Sequence, residues 1–220
     1  MSLVIDVISD VVCPWCFIGK RHLESALAQY REKHPDAPAP TVRWHPFQLN
    51  PQLPKTGVPR AEYLEKKFGG PTRAQQIYAR VTEAGKKAGI DFAFDRIAVQ
   101  PNTVNAHRLV YHALDKGKQD AIVEALFNAY FLDARDLTKT DTLAEVAGKA
   151  GIDAKSAAEY IESDEDSDLI TDADREARQV GVEGVPFFIL NRRYGLSGAQ
   201  PPEVLLQAME EAAAEQEPAS

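Results

Sequence analysis

The sequence lacks several features that would assign it to a broad class of protein. It has no run of 18 consecutive apolar residues, so we expect no transmembrane helix. It has no excess of basic residues: the formal net charge is −8, which argues against nucleic acid or a membrane surface as a partner. No basic region followed by an apolar stretch precedes the first strand-like segment, so we expect no signal peptide and a cytoplasmic location.

Cysteine is also scarce, since Cys13 and Cys16 are the only two. No second cysteine pair could complete a zinc site, and the five histidines lack the necessary spacing, so we expect no bound metal. A structural disulfide would contribute little, because so short a loop removes little entropy from the unfolded chain. A C-x-x-C pair in a protein without an export signal is better explained by redox chemistry.

The two cysteines lie between a predicted strand, Leu3 to Ile8, and a helix whose apolar spacing runs from Ile18 to Tyr30. Unpaired N–H groups and the helix dipole at such an N-terminus stabilise a thiolate at Cys13. Pro14 suits the first helical turn, and Cys16 returns to the same side one turn later. We therefore predict that Cys13, the more exposed thiol, attacks and that Cys16 resolves the mixed disulfide.

The predicted elements follow the order strand, helix, strand, long helical block, strand, strand, helix. A strand is predicted over 41–49, with Pro46 indicating an edge or a bulge, and the segment 50–59 is predicted as a loop. Strands return over 184–190 and 194–196. The fold class is therefore α/β, a thioredoxin-like fold with a large helical insertion. The thioredoxin-like domain comprises 1–59 and 181–220, and the inserted helical domain comprises 60–180.

Finer expectations concern the ends of the helices. Segments beginning at Thr140 and Asp153 are predicted to be capped by their own polar side chains. The last helix should bury one apolar face, and its end from Glu211 to Ser220 should be a frayed tail. The predicted face consists of Val204, Leu205, Ala208, Met209 and Ala212.

Five segments together resemble one known family. They are Ser9-Asp10-Val11-Val12-Cys13-Pro14-Trp15-Cys16, His45-Pro46-Phe47-Gln48-Leu49-Asn50-Pro51, Ala106-His107-Arg108-Leu109, Gly181-Val182-Glu183-Gly184-Val185-Pro186-Phe187-Phe188 and Ser197-Gly198-Ala199-Gln200-Pro201-Pro202. In this order they resemble the DsbA-like branch of the thioredoxin superfamily, and most closely its FrnE-like members. The resemblance implies a helical lid, thiol–disulfide oxidoreductase or disulfide isomerase activity, and a cis peptide bond before Pro186.

The resemblance also suggests which residues contact a substrate. Pro186 is expected opposite the cysteines, where it leaves the backbone groups of Val185 free to pair with a substrate strand; an ordinary proline at a strand start is the alternative. Pro14 and Trp15 complete the expected substrate-binding set. Trp15 is either a platform for substrate or a side chain packed against the lid.

Other polar residues each have more than one possible role. Asp6, in an apolar strand, is a candidate proton acceptor for Cys16, or else it lies at a sheet edge or takes a hydrogen bond; Asp10 competes for the first role. His107 and Arg108 match the family motif, but packing between helices explains them well.

A second functional hypothesis is a glutathione-dependent isomerase or transferase related to the kappa class. Those enzymes resemble this chain at Asn50-Pro51 and Val185-Pro186 but have a serine where Cys13 stands. Asn50 and Pro51 are accordingly candidate glutathione-binding residues. A binding module without catalysis is a third hypothesis, which nothing in the sequence favours.

For the leading hypothesis the expected partners are disulfide-containing proteins or low-molecular-weight thiols. We expect no cofactor besides the redox-active disulfide, with glutathione as an open candidate. The protein is expected to be a monomer or a homodimer.

Overall fold

A computed structural model describes residues 2–215 of the chain. The strands are β1 (Val4–Ser9), β2 (Thr41–Pro46), β3 (Val58–Pro59), β4 (Val99–Gln100), β5 (Phe187–Leu190) and β6 (Tyr194–Ser197). The helices are α1 (Pro14–Lys33), α2 (Arg60–Phe68), α3 (Pro71–Lys87), α4 (Val104–His112), α5 (Gln119–Phe127), α6 (Thr140–Lys149), α7 (Ala154–Glu162), α8 (Ser167–Gln179) and α9 (Pro202–Ala214). A 3₁₀ turn spans Phe94–Arg96 and a π-helical turn spans Asn128–Leu132. Within residues 2–215, no helix is long and apolar enough to cross a membrane.

The main sheet has the strand order β2-β1-β5-β6. β1 runs parallel to β2 and antiparallel to β5, and β5 and β6 form the expected hairpin. α1 packs against α9, and the helices α2 to α8 all lie between β2 and β5 in the chain. The predicted fold class, a thioredoxin-like α/β fold of the DsbA-like type with a helical insertion, is confirmed.

The second strand is shorter than the predicted 41–49, because it ends at Pro46, but the edge position that this proline indicated is confirmed. β2 is an edge strand of the main sheet and its last residue is Pro46, which has no N–H to donate to a neighbour. The segment 50–59 is not wholly a loop, however, because β3 pairs with β4 in a separate two-stranded ribbon. Two-residue strands are too short to produce an alternating pattern in the sequence.

The predicted helix caps have mixed outcomes. Asp153 does cap α7, since its Oδ1 accepts the N–H of Ser156 at 2.8 Å. The Thr140 cap is wrong: Thr140 is already helical, and the preceding residue, Lys139, makes no side-chain cap bond.

The last helix is longer than expected, and the residues that it buries differ from the predicted apolar face. α9 continues to Ala214, so the prediction of a frayed tail is wrong for residues 211–214. The helix persists there because Ala212 packs into the core. The rest of that predicted tail, 216–220, lies outside the described residues. Val204 is exposed and Leu206 is buried in its place.

The helix that carries both cysteines is held by the insertion as well as by the sheet. The fully buried Phe17 ring stacks on Phe127, with 4.9 Å between the ring centroids. One turn later the Lys20 ammonium, only 2% exposed, lies 3.2 Å from Glu124. Burial alone would lower the pKa of Lys20, but the charge of Asp120, with two neighbouring glutamates, raises it above its usual value. Lys20 is therefore charged, and α1 is fixed against α5.

Candidate active site

Cys13 and Cys16 occupy the first turn of α1. Cys13 is the N-cap residue, with extended backbone angles of φ −94° and ψ 113°, and Pro14 is the first helical residue. The carbonyl of Cys13 accepts the N–H of Cys16 at 3.0 Å. Both cysteines are free thiols. The structure thus confirms the predicted location at a helix N-terminus, where a negative charge is favoured.

Cys13 is the more exposed of the two thiols, as predicted, but little of its surface is accessible. Cys13 is 5% exposed and Cys16 is 1% exposed, so both are buried. Cys13 is covered in part by the segment before β5, where its Sγ lies 3.5 Å from the carbonyl oxygen of Val185. The order of exposure is as predicted, but a substrate sulfur reaches only a small part of the Cys13 surface.

The surroundings of Cys16 favour its neutral form. Burial, together with the contact with the Cys13 thiol, raises the pKa of Cys16 well above its ordinary value. The Ser9 hydroxyl and the Asp10 backbone act in the opposite direction but less strongly. Ser9 Oγ has no oxygen or nitrogen partner in the described part of the chain. Cys16 therefore keeps its proton near neutral pH until a change at Cys13 alters its surroundings.

The segment Val185-Pro186 faces the cysteine pair. The peptide bond between the two residues is cis, as the resemblance implied. Pro186 is buried and Val185 is partly buried. The N–H of Val185 has no hydrogen-bond acceptor within residues 2–215, so this donor is available to a ligand.

Trp15, between the cysteines, is largely exposed. Its side chain has 41% of its surface accessible, and it lines a groove of about 320 Å³ together with residues of α3. The ring thus lies beside the insertion, at the edge of an open groove.

Asp10 is the carboxylate closest in sequence to the cysteines, and it is fully buried. Its Oδ2 accepts the N–H of Leu49 at 2.7 Å, and its Oδ1 lies 3.4 Å from Nε2 of His107. Asp6, the other candidate proton acceptor, pairs instead with His45 at 2.8 Å. The hydrogen bond expected of Asp6 is confirmed, whereas a position at the sheet edge is wrong, because β1 lies between β2 and β5. Asp10 contacts the redox pair through its backbone carbonyl, which accepts the N–H of Cys13 at 3.0 Å.

His107 and Arg108 lie side by side on α4 but serve different regions. His107 is buried, and its Nε2 also lies 3.2 Å from the Phe47 carbonyl, which joins the insertion to the loop after β2. Arg108 donates to carbonyl groups at the end of α7, including those of Tyr160 at 2.7 Å and Ser163 at 2.9 Å. The packing role is confirmed for Arg108, whereas the contact of His107 with Asp10 was not anticipated.

A family model described as the DSBA-like thioredoxin domain matches residues 4–210 of the chain. The chain belongs to this family. The match spans both the thioredoxin-like elements and the helices between them. It therefore includes the redox pair, the Asp10–His107 contact and the Val185-Pro186 segment of this DSBA-like thioredoxin protein.

Three known proteins are similar to this chain. The chain is 26% identical over 195 residues to the YwbO protein of Bacillus subtilis (strain 168), covering 86% of this chain and 88% of that protein. A probable DsbA oxidoreductase, SCO1869 from Streptomyces coelicolor, is 32% identical with a TM-score of 0.87, covering 99% and 93% of the two chains. The cytosolic disulfide reductase DsbM from Pseudomonas aeruginosa, solved with GSH, shares the fold at 18% identity and a TM-score of 0.67, covering 96% and 99%.

One buried cluster in this DSBA-like thioredoxin protein was not predicted from the sequence. Arg60, the first residue of α2, is buried and donates to the side chains of Gln100, Tyr130 and Tyr78. Burial raises the pKa of Tyr78 above its ordinary value, although the charge of Arg60 acts in the opposite direction. An isolated arginine at a helix start carries no sequence signal for such a cluster.

The candidate glutathione-binding residues differ in their surroundings. Asn50 is buried, and its Nδ2 has no hydrogen-bond partner among residues 2–215. Pro51 is exposed, and its carbonyl accepts a hydrogen bond from Asn102. Both N–H donors of the Asn50 amide, in the loop after β2, are therefore unused within the described range.

Proposed function

We propose that this protein is a thiol–disulfide oxidoreductase or disulfide isomerase that acts through Cys13-Pro14-Trp15-Cys16. The observation that carries the proposal is the pair of free thiols in the first turn of α1, with Cys13 Sγ 3.5 Å from the Val185 carbonyl. A helix N-terminus stabilises a thiolate, which is the reactive form in disulfide exchange. Membership of the DSBA-like family and the likeness to a probable DsbA oxidoreductase support the same activity.

The reaction proceeds by two thiol–disulfide exchanges. The Cys13 thiolate attacks one sulfur of the substrate disulfide, forms a mixed disulfide and releases the other sulfur as a thiolate. Cys16 then loses its proton and attacks the Cys13 sulfur, which releases the second substrate thiolate and leaves a Cys13–Cys16 disulfide. Two electrons pass from the enzyme dithiol to the substrate, and the reverse sequence oxidises a substrate dithiol. Isomerisation requires the first exchange and then attack on the mixed disulfide by a different substrate thiolate, which forms a new substrate disulfide and releases the Cys13 thiolate.

The residues around the pair have assigned roles in this scheme. Val185 offers its unpartnered N–H to an extended substrate segment, as in strand addition at a sheet edge. Pro186 forms the wall beside Cys13, and Pro14 and Trp15 form the exposed turn that meets the substrate. The insertion, residues 60–180, acts as the second domain that covers this surface.

The chain is assigned in this proposal to the FrnE-like members of the family and to the cytoplasm. A neighbour of the same fold is described as a cytosolic disulfide reductase, which supports that location. No cofactor beyond the redox pair is required, because both exchange steps use only the two enzyme thiols and the substrate. Disulfide-containing proteins and low-molecular-weight thiols are the substrate classes.

One observation favours the alternative, a glutathione-dependent isomerase or transferase related to the kappa class. The buried Nδ2 of Asn50 lacks a partner in the described chain, as expected if a ligand carbonyl or carboxylate completes its hydrogen bonding. The intact cysteine pair weighs against this alternative, since those enzymes resemble this chain elsewhere but have a serine where Cys13 stands.

A redox titration combined with a disulfide-reduction assay tests the proposal. Wild-type protein should show a two-electron thiol–disulfide transition and reduce a protein disulfide, and Cys13→Ala should do neither. The assay is run with and without glutathione. Turnover that survives Cys13→Ala and depends strictly on glutathione would contradict the oxidoreductase and favour the alternative.

A further inference from the structure

A groove lies between the redox turn of α1 and the outer face of α3. Its volume is about 320 Å³, at the lower end of the roughly 300–1,000 Å³ typical of small-molecule sites. Trp15 and Ile77 in its lining are large hydrophobic residues that stay exposed, at 41% and 38%. The full lining is Trp15, Arg73, Gln76, Ile77, Arg80 and Val81.

Two of the lining residues are arginines, and none is acidic. Arg73 and Arg80 are exposed and stand seven residues apart on α3, which places them on one face, two turns apart. Neither makes an ion pair or a side-chain hydrogen bond with a residue in the range 2–215. By contrast, Arg60 and Arg108 are buried and hydrogen-bonded to several neighbours. The groove is thus a positive site on a chain whose net charge is −8.

We propose that Arg73 and Arg80 bind the carboxylates of a small acidic disulfide and hold its sulfur–sulfur bond beside Trp15 for attack by Cys13. This inference rests on the proposed function and names a substrate class for it: low-molecular-weight disulfides that carry carboxylates. Guanidinium groups pair with carboxylates through two parallel hydrogen bonds, and Trp15 offers a flat apolar surface between the charged ends.

The size of the groove favours a small molecule over a protein surface. A stable protein–protein contact buries about 800 Å² on each partner, far more than one groove lined by six residues provides. The two arginines do not touch the reacting sulfurs, so they are specificity residues. They should change the concentration of acidic disulfide needed for half-saturation more than the rate at saturation.

The test is a single-turnover reaction of the reduced protein with three disulfides of different charge. Glutathione disulfide is acidic, 2-hydroxyethyl disulfide is uncharged, and cystamine is basic. The variants are Arg73→Gln/Arg80→Gln and, as a control with the same change in net charge, Arg31→Gln/Arg175→Gln. The control arginines are exposed and outside the groove. Thermal unfolding of each variant verifies that the fold is retained.

The groove variant should react about tenfold more slowly with glutathione disulfide than wild type does, and within about twofold of wild type with 2-hydroxyethyl disulfide. The control variant should behave as wild type with all three. Raising the ionic strength from about 0.02 M to about 0.5 M should reduce the wild-type preference for the acidic disulfide, because salt screens exposed charges.

A second measurement does not involve redox chemistry. S-methylglutathione, which has no free thiol, should bind wild type in a calorimetric titration and bind the groove variant at least about fivefold more weakly. Equal losses with acidic and uncharged disulfides, or no loss with either, would overturn the arginine site. Failure of wild type to reduce 2-hydroxyethyl disulfide would instead contradict the proposed function, and the S-methylglutathione titration then still decides whether the groove binds carboxylates.

Discussion

Gly19 and Pro186 are in such close contact that no side chain fits between them. A methyl group on Gly19 would lie 2.9 Å from Cγ of Pro186 and 3.3 Å from the Phe188 ring. The missing side chain at Gly19 therefore determines how closely α1, with its two cysteines, approaches the Val185-Pro186 segment.

Replacing Gly19 with alanine should push that segment away from Cys13. We expect a loss of about 1–3 kcal/mol in the free energy of unfolding, as for other overpacked sites, and slower reduction of a protein disulfide. Gly148→Ala is the matched control: Gly148 is also helical, and an added methyl would meet nothing closer than 3.8 Å. The control should be stabilised by about 0.5–1 kcal/mol. Equal effects of the two changes would show that the contact with Pro186 is unimportant.

Replacing Cys16 with alanine should trap reaction intermediates. Without the resolving thiol, the mixed disulfide at Cys13 persists, so disulfide-linked complexes with substrate should accumulate on non-reducing gels. Cys13→Ala should yield none, because Cys16 is less exposed than Cys13 and keeps its proton at neutral pH. If only Cys13→Ala accumulated such complexes, Cys16 would be the attacking thiol and Cys13 the resolving thiol.

The thiol of Cys16 should react slowly with alkylating agents at neutral pH. Burial raises its pKa well above the ordinary value, so it is mostly protonated there, and its alkylation rate should climb only at alkaline pH. Burial is the largest cause, so the raised pKa should persist in Cys13→Ala. The measurement is the rate of iodoacetamide labelling against pH, located by mass spectrometry; rapid labelling of Cys16 at pH 7 in either protein would contradict it.

Acid should weaken the contact between α1 and α5. Burial alone would raise the pKa of Glu124, but hydrogen bonds from Arg21 and the charge of Lys20 lower it to about 2. A lowered pKa adds stability above the usual value of 4.5, and that stability is lost as the pH falls from there towards 2. Because Glu124 is partly exposed, we expect it to contribute about 1–2 kcal/mol.

Denaturant unfolding between pH 7 and pH 2 measures this contribution. Glu124→Gln should be less stable than wild type at pH 7 and should lose less stability on acidification. Glu159→Gln is the control, since Glu159 is exposed and lies 3.9 Å from Lys155. Parallel pH profiles for wild type and Glu124→Gln would refute the assignment.

The sequence predicted those parts of the fold that are determined by residues adjacent to one another in the chain. The cysteine pair at the start of α1, the hairpin of β5 and β6, and the Asp153 cap each follow from a few consecutive residues. The β3–β4 ribbon joins residues about forty positions apart, and two-residue strands have no periodicity to reveal them.

The same distinction explains the candidate site. Cys13 and Cys16 carry their own chemical signal, whereas the partners of Asp10 come from the loop after β2 and from α4. Arg60 gains its role only from tertiary contacts with Gln100 and two tyrosines. The near-complete burial of Cys13 likewise depends on Val185, which the fold brings back to the cysteine from far along the chain. The residues next to Cys13 in the sequence do not reveal this contact.

The anchoring of α1 to α5 has a consequence for how a substrate gains access to Cys13. Lifting that side of the insertion would separate Phe17 from Phe127 and expose the buried Lys20 ammonium, which is a costly rearrangement. On the α3 side, Trp15 already faces an open groove. Under the proposed function, we therefore expect a small disulfide to approach from the α3 side, where Trp15 is already accessible, and not past the buried contacts with α5.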